Sequence, residues 1–138
     1  IISLYLMGFN ILICDDSALA RKMARSNLPD GFAETIYEVS NGMDALEVLA
    51  HHTIDLVLLD LTMPVLGGIS VLSEIKRRQL ETFVIVVSGD IQPMMQEKVM
   101  SLGALGFIEK PIKRDVLTSV LQRFGFILPD TYKPAIAV

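Results

Sequence analysis

Apolar residues gather along this chain in two rhythms. Short, nearly unbroken runs occur at Phe9 to Cys14, Ile36 to Val39, Asp55 to Leu59, Phe83 to Val87 and Leu105 to Ile108. Each has strand length, and most are rich in the Val, Ile and Leu that suit a pleated surface covered on both faces. Between and after them, apolar positions recur at helical spacing. Val116, Leu117, Val120, Leu121 and Phe124 form one such stripe, with Lys113, Arg114, Gln122 and Arg123 largely elsewhere on the wheel. Ala18 to Leu28 repeats the theme with Leu19, Met23 and Leu28, and Ala45, Leu46 and Leu49 do so after the Asn41-Gly42 turn. Ile69, Leu72 and Ile75 mark a helix closed by Arg77 and Arg78, cations suited to a helix carboxyl end. The segment Ile91 to Leu102 has the weakest apolar patterning of the set.

Five strand patterns, each followed by a helix, predict an α/β domain with a parallel sheet covered on both faces. Right-handed crossovers then place every strand's carboxyl end at the same edge, where open sheets bind ligands as the strand order reverses. The polar residues that close the runs share that edge. Asp15 and Asp16 follow the first run, Asp60 the third, Ser88 the fourth and Lys110 the fifth.

Three carboxylates brought within a few ångströms repel one another unless a cation compensates them. Magnesium, a hard ion that takes oxygen ligands and retains water, suits such a group, whereas zinc or copper fits poorly because the cluster brings no Cys or His. A carboxylate beside a divalent ion and an ammonium group can act as a nucleophile toward phosphorus, giving an aspartyl phosphate. Lys110 would offset charge on the transferred oxygens, and the Ser88 hydroxyl would donate to one of them.

At this point the chain resembles the receiver domain of two-component response regulators. The likeness rests on Asp15-Asp16-Ser17, on Asp60-Leu61-Thr62-Met63-Pro64 with Gly67-Gly68, on Val87-Ser88-Gly89, on Gly103-Ala104 and Phe107, and on Lys110-Pro111, and it spans Phe9 to Phe124. The resemblance implies a flavodoxin-like doubly wound sheet of strand order 2-1-3-4-5 with five helices in a single domain. It matches Asp60 to the phosphoacceptor, Asp16 to a direct magnesium ligand, Asp15 to the partner acid that acts through water, and the backbone carbonyl of Thr62 to a third protein ligand. Lys110, preceding a proline that is commonly cis, matches the lysine that reaches the phosphoryl group. Ser88 and Phe107 match the hydroxyl and aromatic switch pair, and Phe107 carries no hydroxyl at its ring tip. Thr62 and Asp90 match positions that tune dephosphorylation. The implied partners are a histidine kinase or histidine phosphotransfer domain, a downstream effector on the face of the fourth helix, fifth strand and fifth helix, and, as a further option, a second copy of the chain.

Taken singly, each element has an ordinary structural account. Asp16 or Ser17 can cap the next helix, Asp60 can close a strand, Ser88-Gly89 is turn chemistry, Lys110 can be a solvated loop residue and Phe107 can be core. Jointly, these accounts require independent coincidences at one edge. Elsewhere the plainer account prevails. His51 and His52 sit near a helix end and face solvent, with no metal role. Arg21, Lys22 and Arg25 suit a docking face or a solvated helix face equally, and Met94, Met95 and Met100 suit an adaptable partner surface with at least one filling core.

Composition narrows the picture further. The chain has 138 residues, 51% of them hydrophobic, enough to bury a core without metals or disulfides. A single cysteine, Cys14, lies inside an apolar run and reads as a small buried hydrophobe in a reducing compartment. A net charge of −4 gives no general attraction to nucleic acid or anionic lipid, so direct nucleic-acid binding and membrane association are not expected. Residues 1–8 read as an N-terminal extension, too short in apolar length to cross a bilayer, residues 9–126 as the receiver domain, and residues 127–138 as a tail or the start of a linker.

Three functions from different classes fit in part. The first is a cytoplasmic, magnesium-dependent receiver, a signalling domain that can promote its own phosphorylation and dephosphorylation. The second is an aspartyl phosphatase of the haloacid dehalogenase type, disfavoured because Thr62 stands where its second acid belongs. The third is a flavodoxin-like binding module, disfavoured because no Ser/Thr/Gly-rich phosphate loop follows the first strand.

Overall fold

A computed structural model of the chain describes residues 8–127. The extension and tail expected at the two ends fall outside it, apart from Gly8 and Ile127. Five strands, β1 (Phe9–Cys14), β2 (Ala33–Val39), β3 (Leu56–Leu59), β4 (Phe83–Ser88) and β5 (Gly106–Glu109), alternate with five helices. These are α1 (Ala18–Asn27), α2 (Gly42–His51), α3 (Gly68–Arg78), α4 (Pro93–Ser101) and α5 (Arg114–Arg123). The strands form one parallel sheet in the order β2-β1-β3-β4-β5, as the resemblance implies. Because β1 pairs with β3 as well as β2, the order reverses between β1 and β3.

Alternation along the strands sends side chains to two cores. Ile11, Ile13, Leu56, Leu58, Ile85 and Ile108 face the side covered by α1 and α5, where they meet Ala24, Leu28, Leu117 and Leu121. Leu12, Cys14, Val57, Leu59, Val84 and Val86 face the other side, against Ala45 and Leu49 of α2, Val71, Leu72 and Ile75 of α3, and Val99 of α4. With both faces covered, β1, β3 and β4 need unbroken apolar sequence, which is why their runs stand out.

The edge strand is less legible. β2 begins at Ala33, three residues before the run that marks it, because Ala33 to Thr35 pair with β1 through backbone while their side chains stay largely outside the core. Two helical stripes also narrow. Leu19 of α1 and Val116 and Phe124 at α5 are exposed, and Leu117, Val120 and Leu121 carry the inward face of α5 alone. α4 starts at Pro93, two residues later than expected, with proline in its first turn where no backbone donor is needed. Ser17 caps α1, its hydroxyl accepting from the Ala20 amide at 3.1 Å, and Asn41 caps α2, accepting from Asp44 at 2.8 Å.

At the opposite edge from the strand carboxyl ends, Phe9, Phe32, Phe83 and Phe126 form a chain of rings. Centroids lie 5.0 Å apart for Phe9 and Phe32, 5.6 Å for Phe9 and Phe126, and 5.6 Å for Phe83 and Phe126. Phe126 follows α5 and is turned back by its amide, which donates to the Leu121 carbonyl at 2.9 Å. The rings thus gather at the base of the sheet, with Phe32 buried and Phe83 open to solvent.

Candidate functional site

Sheet register builds the site. Cys14 lies beside Leu59, so Asp15 and Asp60 leave neighbouring strands at the same level, joined by the Asp60 amide donating to the Cys14 carbonyl at 2.9 Å. Ser88 lies beside Glu109, and the Lys110 amide donates to the Ser88 carbonyl at 2.9 Å. The turn after β3 is tightened by Gly68, whose amide donates to the Leu61 carbonyl at 3.0 Å. A Cβ at Gly68 would overlap the Asp60 carbonyl oxygen, so the start of α3 can pack this closely only on glycine.

Asp15, Asp60 and Ser88 are all buried, whereas Asp16 is exposed. One carboxylate oxygen from each of Asp15, Asp16 and Asp60 lies within 4.8 Å of the others, so the acids expected at the edge do converge. The Lys110 ammonium bridges two of them, 2.7 Å from Asp15 Oδ2 and 3.2 Å from Asp60 Oδ1. Its shorter bond goes to Asp15. The other Asp15 oxygen accepts from the Ser17 amide at 2.9 Å, which fixes the carboxylate against the start of α1.

These contacts set the charge balance. Burial, and then the Asp15 carboxylate, push the Asp60 pKa above its usual 3.8, and Lys110 and the Thr62 amide recover part of that shift. Burial alone would lower the pKa of Lys110. Its hydrogen bond to Asp15 and the charges of Asp60 and Asp15 outweigh that effect and hold it above 10.5. Three carboxylates thus face one ammonium, leaving two formal negative charges uncompensated. An all-oxygen donor set of that charge fits a hard divalent cation such as magnesium.

The remaining expected residues fall nearby with different exposure. The Ser88 hydroxyl oxygen accepts from the Asp90 amide at 3.0 Å, so turn chemistry and a free hydroxyl proton coexist there. Phe107 on β5 is half-buried against the α2–α4 core, whose partly buried members include Met95 and Leu102. The Lys110-Pro111 peptide is cis. Thr62 is exposed, and open space surrounds Gly89.

Several neighbours differ from expectation or complete it. Arg21 is drawn into the site's framework, its guanidinium donating to the Asp15 carbonyl at 2.8 Å and lying 3.3 Å from Glu38, which Arg25 also holds at 2.7 Å. The basic stripe of α1 leaves that contact invisible, since helical spacing gives no sign that one arginine turns back over the cap. Val65, in the turn after Met63-Pro64, has φ +68° and is exposed, a left-handed backbone that a β-branched residue adopts at a cost. His51 and His52 are exposed as expected, and Cys14 is a buried free thiol whose pKa burial drives upward. Of the three methionines, Met94 and Met100 are exposed and Met95 packs on the core. Among the described residues no helix is long and apolar enough to cross a membrane.

Comparison with known proteins gives one consistent result. The profile described as the response regulator receiver domain matches residues 11–122. The chemotaxis protein CheY of Bacillus subtilis is 35% identical over 117 residues, covering 85% of this chain and 98% of that protein. CheY of Thermotoga maritima is 32% identical over 117 residues, with the same 85% and 98% coverage. Among solved structures, the CheX–CheY–BeF3–Mg complex from Borrelia burgdorferi is similar with a TM-score of 0.78 and 29% identity, covering 85% of this chain and 89% of the matched one.

Proposed function

The chain belongs to the response regulator receiver domain family, and from that premise we propose that Asp60 accepts a phosphoryl group in a magnesium-dependent reaction and thereby switches partner binding. The observation that carries the proposal is the Lys110 bridge between Asp15 and Asp60, with Asp16 within reach, at the point where strand order reverses. A buried carboxylate whose ionised form is already disfavoured gains most from a cation, and it faces an open edge from which a donor can approach.

In the transfer, a carboxylate oxygen of Asp60 attacks phosphorus while the bond from phosphorus to the donor imidazole nitrogen breaks, the nitrogen keeping the electron pair. Asp15, Asp16, Asp60 and the Thr62 carbonyl would hold magnesium, which neutralises charge on the transferred oxygens when bound. Lys110 turns its ammonium from the acids toward the new phosphoryl oxygens. Ser88, whose oxygen already accepts from Asp90, has its proton free to donate to one of them. Its displacement toward that group vacates space into which the half-buried Phe107 ring turns, biasing the surface of α4, β5 and α5. The exposed Met94, Met100 and Val116 suit an effector there. The phosphodonor is a histidine kinase or phosphotransfer domain, the setting is cytoplasmic, and the domain spans residues 9–126.

Incubation with acetyl phosphate and Mg2+ is expected to add one acid-labile, base-labile phosphoryl group by intact mass, and Asp60→Asn to abolish it. Equal labelling of wild type and mutant would overturn the assignment. Ser88→Ala is expected to remain phosphorylatable while its conformational response, followed by partner binding or fluorescence, weakens.

A further inference from the structure

β1 ends at Cys14, and the ladder that joins it to its neighbours ends there too. Just beyond, the Asp15 amide still donates to the Val39 carbonyl of β2 at 3.1 Å, but the Asp15 carbonyl lies past the last strand pair and needs another donor. Arg21, one turn into α1, supplies it. One guanidinium nitrogen donates to that carbonyl at 2.8 Å, while another lies 3.3 Å from Glu38 Oε1. The second carboxylate oxygen of Glu38 holds Arg25 at 2.7 Å, one turn further along the same helix face. Glu38 stands beside Ile13 in the register of β1 and β2, so this brace is anchored in the sheet.

The carbonyl that Arg21 holds belongs to the peptide joining Asp15 to Asp16. We propose that Arg21, braced by Glu38, is a positioning residue of the magnesium site: it fixes the peptide plane from which Asp16 reaches the ion. Asp16 is exposed, so packing does little to aim its carboxylate, and the backbone that carries it decides where it points. Asp15 is held more directly, by the Ser17 amide at 2.9 Å and by Lys110 at 2.7 Å. In the proposed transfer Lys110 turns away toward the phosphoryl group, whereas the Arg21 contact is made to backbone and persists. Outer partners that orient metal ligands in this way are worth about 10–100-fold in metal affinity. An exposed ion pair with no such role would leave the metal nearly untouched. The inference rests on the magnesium reading of the acid cluster and extends it to residues that touch no ion.

The sign of one substitution separates positioning from charge. Arg21 is a cation close to the acids, so loss of its charge alone would tighten Mg2+ binding, whereas release of the Asp15–Asp16 peptide would weaken it. Isothermal titration of the folded protein with Mg2+ is expected to show Arg21→Met weaker than wild type by about tenfold. Arg21→Lys, which keeps the charge but loses the planar fork that serves two acceptors, should fall between the two. Glu38→Gln should add little to Arg21→Met, because both act through one contact. In the metal-free protein, amide relaxation by NMR should give Asp16 a lower order parameter in Arg21→Met than in wild type, a local change that lowered global stability does not produce. Mg2+ binding by Arg21→Met as tight as wild type or tighter, an unchanged Asp16 order parameter, or fully additive losses in the double variant would each overturn this inference while Mg2+ binding and Asp60 labelling of the wild type stand. A wild type that binds no Mg2+ would overturn it together with the reading it rests on. If Arg21→Met does not fold, Arg21→Lys decides by the same two readings, and equality with wild type in both overturns the inference.

Discussion

Lys110 serves two carboxylates with one ammonium, and the imbalance falls on Asp60. Its pKa is raised in the folded chain, by burial first and by Asp15 second, so the native state holds that proton more tightly than the unfolded state does. Its contribution to stability is therefore complete below 3.8 and is lost as pH rises through the folded value. Lys110, raised above 10.5, stabilises at every pH below that and loses its effect only as pH passes the folded value. The fall in the acid range is thus assigned to Asp60. In metal-free urea unfolding at pH 7, Asp60→Asn should be more stable than wild type and should flatten the decline with rising pH above 3.8. Added Mg2+ should stabilise wild type more than the variant, since it binds the native acids. At this scale the sequence marks Asp15, Asp60, Ser88 and Lys110 well, because strand-end position follows from topology alone. It does not reveal that Lys110 prefers Asp15, or that Arg21 turns back onto the Asp15 carbonyl, because both depend on side-chain directions that no periodicity encodes.

At the scale of elements, the connection from β3 to α3 carries the tightest constraints. Leu61 and Met63 within it are buried, Gly68 packs against the Asp60 backbone, and Val65 is held at φ +68° in solvent. Val65→Gly relieves the left-handed strain and should raise stability by about 1 kcal/mol, read from the urea midpoint. Gly68→Ala should do the reverse, costing about 2 kcal/mol and weakening Mg2+ binding, because the clash is with the backbone of Asp60 itself. Isothermal titration separates that second effect from the first. The elements legible from sequence are those buried on both faces, such as Leu56 to Leu59. β2 and α4 blur at their starts, the first because edge pairing is made by backbone, the second because Ile91 and Gln92 are claimed by the turn around Asp90, whose carboxylate accepts from the Gln92 amide at 3.0 Å.

Across the whole molecule, chemistry and closure occupy opposite ends of the sheet. Phe32, buried in the aromatic base, is far from every acid in the cluster. Phe32→Ala should therefore cost about 3 kcal/mol in unfolding while Mg2+ affinity of the folded protein stays at the wild-type value, as expected for separated sites. A loss of Mg2+ affinity in the folded variant would show that base and rim are coupled. The ring cluster has a practical corollary as well. Phe9 and Phe126, which flank the first and last described residues, meet there at the base, and the six residues of β1 set that point about 20 Å from the carboxylates. A reporter group attached at Gly8 or Ile127, the outermost described residues, would therefore sit at the face away from the acids and leave their rim open.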